Sequence, residues 1–110
     1  MAPGSERRRS PRVRFTAPAA VDWGGVRVEA YSEDLSATGV GLICDGPLPI
    51  GAPVRLTFRL GGGPGAGAQV VAGRVARSRV GDDATLVGVE FAAPLAGGSA
   101  LARAAGLPGA

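Results

Sequence analysis

The chain is 110 residues long, with 45% hydrophobic residues, 19 Gly, 9 Pro and one cysteine, Cys44, enough for one domain that buries roughly two thirds of its unfolded surface without a disulfide. It contains no His, Lys or Asn, so all 12 basic residues are Arg; Ser-His-Asp, Cys-His and lysine Schiff-base chemistry, a Walker A lysine and an imidazole-based zinc site are all excluded, which points to a non-enzymatic protein without a metal or cofactor. The net charge is +3, no apolar run approaches the ~20 residues of a membrane span, and the lone thiol suits a reducing compartment, so a soluble cytoplasmic protein is expected.

The first element is an arm. Residues 1–14 hold Arg7, Arg8, Arg9, Arg12 and Arg14 against Glu6 alone, a local +4, which leaves −1 for the rest of the chain. Such asymmetry suits an anionic partner met near the N-terminus: nucleic acid, a phosphate-bearing small ligand or a membrane surface, against the plainer alternative of a solvated tail. Pro11 blocks a helix and pushes Ser10 to extended backbone, so residues 1–12 read as a flexible arm rather than a basic helical face.

From Val13 the pattern is period two, the alternation of half-buried strands. Val13, Phe15, Ala17, Ala19 and Val21 share one face, and Asp22-Trp23-Gly24-Gly25 reads as a turn. Val26, Val28 and Ala30 then alternate with Arg27, Glu29 and Tyr31, and Val40, Leu42 and Cys44 follow. Val54, Leu56, Phe58 and Leu60 point inward against Arg55, Thr57 and Arg59. Leu60 to Gly67 is a glycine-rich loop without the lysine or helix of a phosphate cradle. Gln69 to Val80 reads as a long strand bulged at Gly73, and Val87, Val89 and Phe91 form the last strand. Six short strands with Gly/Pro turns predict an all-β, closed antiparallel barrel over residues 13–92. In the short helix or tail of 93–110, Ser99 caps a helix that ends at Gly106, with Leu101 and Leu107 docked on the barrel.

Two motifs are not needed by such a core: Arg8-x-x-x-Arg12 and Asp34-x-Ser36-x-x-Gly39. In this order and on this strand map they resemble the PilZ domain, whose pattern is RxxxR on an N-terminal arm followed by (D/N)xSxxG; Gly73-Arg74-Val75-Ala76-Arg77 and Val87-Gly88-Val89-Glu90-Phe91 extend the likeness. The resemblance implies a six-stranded barrel that binds cyclic di-GMP and relays the signal to an unidentified downstream protein, as a stand-alone adaptor. It carries ligand contact onto Arg8, Arg12, Asp34, Ser36 and Gly39. Arg7, before the first motif, is associated in such families with an intercalated ligand dimer, which implies up to two molecules per chain.

Physical chemistry agrees with this implication. A dianion with two guanines requires donors for phosphate and for guanine O6/N7, and planar groups to cover the bases; a guanidinium supplies all three. On an extended strand Asp34 and Ser36 project from the same side, where a carboxylate can accept from guanine N1 and N2 beside a hydroxyl. Gly39 is expected to admit the ligand to the backbone or to take a positive φ. Arg77, on the long strand, is a further candidate contact. Cys44 reads as a small core residue and Trp23 as the cover of a turn. A barrel binding single-stranded nucleic acid is the alternative, weakened by the inward positions of Phe15, Phe58 and Phe91, as is a ligand-independent interaction module of the same fold. The apolar, Gly-interrupted C-terminus departs from the longer polar helix usual in the family.

Overall fold

A computed structural model describes residues 11–61 and 67–107. The described chain forms β1 (Val13–Arg14), β2 (Pro18–Trp23), β3 (Val26–Leu35), β4 (Gly39–Cys44), β5 (Pro53–Leu60), β6 (Gly67–Val80), β7 (Thr85–Phe91) and a helix α1 (Ala100–Ala105). All pairings are antiparallel, in the order β3-β2-β5-β6-β7-β4, and β4 returns to β3, so six strands close a barrel. Closure pairs the strand edges with one another, and an exposed edge is the main hazard of short strands. The expected first strand is divided: β1 pairs with the end of β3, β2 with its beginning, and Phe15-Thr16-Ala17 links them.

Most of the apolar alternation read from the sequence is the core; Val26 departs from it and is exposed beside the hairpin turn, and Val13, Phe15, Val28 and Leu60 are only half-buried at its margin. Val21, Leu42, Val54, Leu56, Phe58, Val75, Val87 and Val89 are buried inside the barrel, and Leu101, Ala102 and Leu107 close its end. The β2–β3 hairpin turns at Gly24 and Gly25, whose φ values of 60° and 83° suit the twist of a tight hairpin. In α1 the Ser99 hydroxyl accepts from Ala102 N at 3.2 Å, and Gly106 ends the helix in the left-handed region. The Gln69 side chain receives Leu101 N at 2.7 Å, which ties the helix to β6. Cys44 is buried, and burial pushes its thiol up to about 11. Trp23 is half-buried at the end of β2, packed on the edge of the core.

Two irregularities matter for function. The β3–β4 register shifts between Ser32 and Asp34, and the β6–β7 register between Val75 and Arg77. The second bulge is therefore at Ala76, three residues beyond the expected Gly73. Gly73 answers to a different constraint: a Cβ there would stand 2.6 Å from the Glu90 carbonyl oxygen.

The segment before β2 is stapled to β3 by Ser32, which is buried. Its hydroxyl donates to the Phe15 carbonyl and accepts from Ala17 N at 2.9 Å, while Ser32 N donates to Ala17 O at 2.9 Å. Replacing Ser32 with Ala orphans the Phe15 carbonyl and the Ala17 amide in a site closed to water, and this loss is worth about 1–3 kcal/mol. Chemical denaturation of Ser32→Ala is expected to show a destabilisation of that size with an unchanged m-value.

Candidate functional site

Four residues form one row across the outer face of the barrel. Asp34 on β3 pairs with Gly41 on β4, Gly41 with Gly88 on β7, and Gly88 with Arg77 on β6. Strands lie about 4.8 Å apart, so the row spans about 14 Å, with a carboxylate at one end, a guanidinium at the other and two glycines between. The Arg77 guanidinium folds over this floor: the position of a Gly88 Cβ is 3.0 Å from its Nε. A groove of about 320 Å³ lies above the row and continues to Leu86 and Arg79.

The bulges place both charged ends. Ser32 and Val75 face the core, so in an unbroken strand Asp34 and Arg77, two residues on, would face it too. The extra residues Glu33 and Ala76 turn them out, and Leu35 recovers the inward register opposite Val40. Each charged side chain of the site thus directly follows a bulge.

Arg12 closes the groove from the arm side. Its Nη2 donates to Asp34 Oδ1 at 2.8 Å, and the same oxygen accepts from Gly41 N at 3.1 Å. The pairing of Val13 with Leu35 and of Arg14 with Asp34, held by the Ser32 staple, fixes where Arg12 emerges. Arg12 and Arg77 line a common groove above Gly39, Val40 and Gly88. The Arg12 hydrogen bond holds the Asp34 carboxyl below its usual value against partial desolvation, helped by Gly41 N and the charge of Arg77.

The sequence-derived residues divide accordingly. Arg12, Asp34 and Arg77 come together on one face. Arg7 and Arg8 lie outside the described residues. Ser36 does not share the outward side of Asp34: β3 ends at Leu35, so the two-residue alternation no longer applies, and Ser36 is buried in the turn. Its hydroxyl accepts from Gly39 N at 3.1 Å and Thr38 N at 3.2 Å, shaping the β3–β4 hairpin. Gly39 has no positive φ and serves a neighbouring strand, since a Cβ there would lie 2.7 Å from the Val89 carbonyl oxygen. The sequence reading missed Gly41 and Gly88. Only their places opposite Asp34 and Arg77 distinguish them from other strand glycines, and those places depend on register. Among the described residues no cluster of His, Cys, Asp and Glu could hold a metal ion, and no helix is long and apolar enough to cross a membrane.

The comparisons with known proteins agree with this fold. The PilZ domain family matches residues 6–103. The chain belongs to the PilZ family. Among solved structures, the PilZ-fold motility inhibitor of Bacillus subtilis, MotI/DgrA, superposes with a TM-score of 0.67 at 18% identity. The match covers 83% of this chain and 45% of that one, so the chain spans under half of its neighbour's length, and the likeness concerns the fold alone. No curated protein sequence matches. PilZ domains are a cyclic di-GMP-binding family; in this barrel the paired bulges and the glycine floor bring Asp34 and Arg77 to one face.

Two outcomes test the site. Gly41→Ala places a Cβ 2.6 Å from Asp34 Oδ1, a movable side-chain atom, so folding is expected to survive while the floor is obstructed; Gly39→Ala meets immovable backbone and is expected to cost about 1–3 kcal/mol of stability. Denaturation curves of the two variants distinguish these effects. The second outcome concerns pH. A carboxyl held low in the folded state adds stability above its unfolded pKa and loses it as pH falls through the folded value, so the Arg12–Asp34 contact persists at neutral pH and opens only in acid. Carbon-detected NMR titration is expected to place Asp34 below 3.8, and to move it upward in Arg12→Gln.

Proposed function

We propose that this PilZ domain binds cyclic di-GMP on the Asp34–Gly41–Gly88–Arg77 floor, beneath the Arg8–Arg12 strap, and acts as a non-enzymatic adaptor. The observation that carries the reading is the convergence of Arg12, Asp34 and Arg77 around one outward row whose two middle positions, Gly41 and Gly88, bear no side chain of their own. A flat floor suits a planar purine, and a guanidinium at each side supplies phosphate donors and a stacking face. Arg12 uses one of its five N–H donors on Asp34, so it can hold the carboxylate and a phosphate at once. Both hydrogen bonds to Asp34 fall on Oδ1, and Oδ2 is the natural acceptor for the guanine N1 and N2 donors.

Within this reading Arg8 completes the strap, Arg7 contacts a second ligand molecule where two bind, and the ligand-covered face signals to a downstream protein. Ser36 and Gly39 act indirectly, through the hairpin that carries Gly41. The nucleic-acid alternative has little support on this surface: Phe58 and Phe91 are buried, Phe15 is half-buried, and Tyr31 is the large exposed aromatic among the described residues.

Calorimetry with cyclic di-GMP tests the proposal and reports its stoichiometry. Arg12→Ala is expected to weaken binding by at least about tenfold, since a charge-assisted hydrogen bond contributes about 1.5–3 kcal/mol. Titration curves that coincide for wild type and Arg12→Ala remove the proposal. Preference for an oligonucleotide with a steep salt dependence favours the alternative.

A further inference from the structure

The next outward row, two residues from the floor along β4, β6 and β7 and three along the bulged β3, is exposed and, up to Arg79, apolar. Tyr31 pairs with Ile43, Ile43 with Leu86 and Leu86 with Arg79. Tyr31 is 57% exposed, Ile43 36% and Leu86 37%, a continuous strip across three strands. Such a strip on a folded domain marks a contact surface more often than do isolated apolar residues. It abuts the candidate site directly, because Leu86 and Arg79 line the same groove as Asp34 and Arg77.

The two borders of the strip differ in charge, acidic on the far side and mixed, with free arginines, on the groove side. On the far side Glu29 and Asp45 are exposed and neighbours, with Asp45 N donating to Glu29 O at 3.1 Å, and the β6–β7 turn adds exposed Asp82 and Asp83. On the groove side stand Arg77 and Arg79, neither in an ion pair among the described residues, together with Glu33 and with Asp34, whose charge Arg12 balances. We infer that the Tyr31–Ile43–Leu86 strip is a docking surface for a protein segment with an apolar face and basic flanks, admitted when a dianion fills the adjoining groove. The carboxylate rim attracts such a segment and the two arginines repel it. A doubly negative ligand over Arg77 reverses the second effect, at a distance of two residues, about 7 Å, which is within a Debye length at physiological salt. The ligand thereby changes the affinity of the strip without any movement of the barrel.

This inference rests on the proposed ligand site, and the experiment separates the two. A random peptide library is panned on the full-length protein with and without saturating cyclic di-GMP, and the enriched peptides are measured by fluorescence anisotropy. Basic, apolar sequences are expected, binding the loaded protein at least about tenfold more tightly than the free protein. Ile43→Lys is expected to lose this binding about tenfold and Asp45→Asn to weaken it several-fold, while both keep wild-type cyclic di-GMP affinity in calorimetry, since neither residue lines the groove. Acidic or absent peptides, equal binding to Ile43→Lys, or binding indifferent to the nucleotide overturns the inference and leaves the ligand site standing. Self-association of the loaded protein that Ile43→Lys abolishes makes the occupant a second copy and likewise overturns it. Failure of wild type to bind cyclic di-GMP in calorimetry removes the ligand site, and the gated docking with it.

Discussion

The register of four strands governs this molecule's working face. A carboxylate on β3 and a guanidinium on β6 can share a guest only if both point outward at the same level of the barrel, and strand alternation would send both into the core. There, an unpaired charge costs several kcal/mol. One extra residue before each, Glu33 and Ala76, resolves the conflict: the core keeps its apolar lining and the charges reach water. The ion pair of Arg12 with Asp34 follows from this, since the arm meets β3 at the position where the carboxylate has been turned out.

Around that row the neighbouring Ser and Gly residues take supporting duties. Ser36 satisfies the amides of its hairpin, Gly39 lets β4 lie against the Val89 carbonyl, and Ser32 binds the start of the chain to β3. These residues place backbone, and the groove itself is lined by guanidinium, carboxylate and bare glycine. An all-arginine basic set suits such a face, because a planar fork can hold phosphate and cover a base where an ammonium offers only a point charge.

In the proposed function, electrostatics connect recognition to output. The groove and the neighbouring apolar strip share Leu86 and Arg79, so a charge placed in one is felt at the other across a few ångströms. A rigid closed barrel is well suited to this kind of coupling, since its surface potential can change while its packing does not.

Most of the apolar alternation, the glycine half of the Asp22–Gly25 turn, the Ser99 cap and the Gly106 stop were legible in the letters alone, because each depends on local backbone preference or on which side chains avoid water; Asp22 and Trp23, read as turn, continue β2 by pairing with Arg27 and Val26. The resemblance carried by the two motifs likewise assigned Arg12 and Asp34 to one ligand site, and their ion pair came only with the fold. What the linear order could not convey is which residues stand opposite one another. A bulge shifts every later pairing by one, so the outward turn of Arg77, the inward burial of Ser36 and the meeting of Gly41 with Gly88 exist only once six strands have closed and chosen their register. The chain's composition and spacing determined a small arginine-bearing barrel; long-range strand pairing decided which face carries the site, because cross-strand neighbours are a property of the folded sheet and of no single segment.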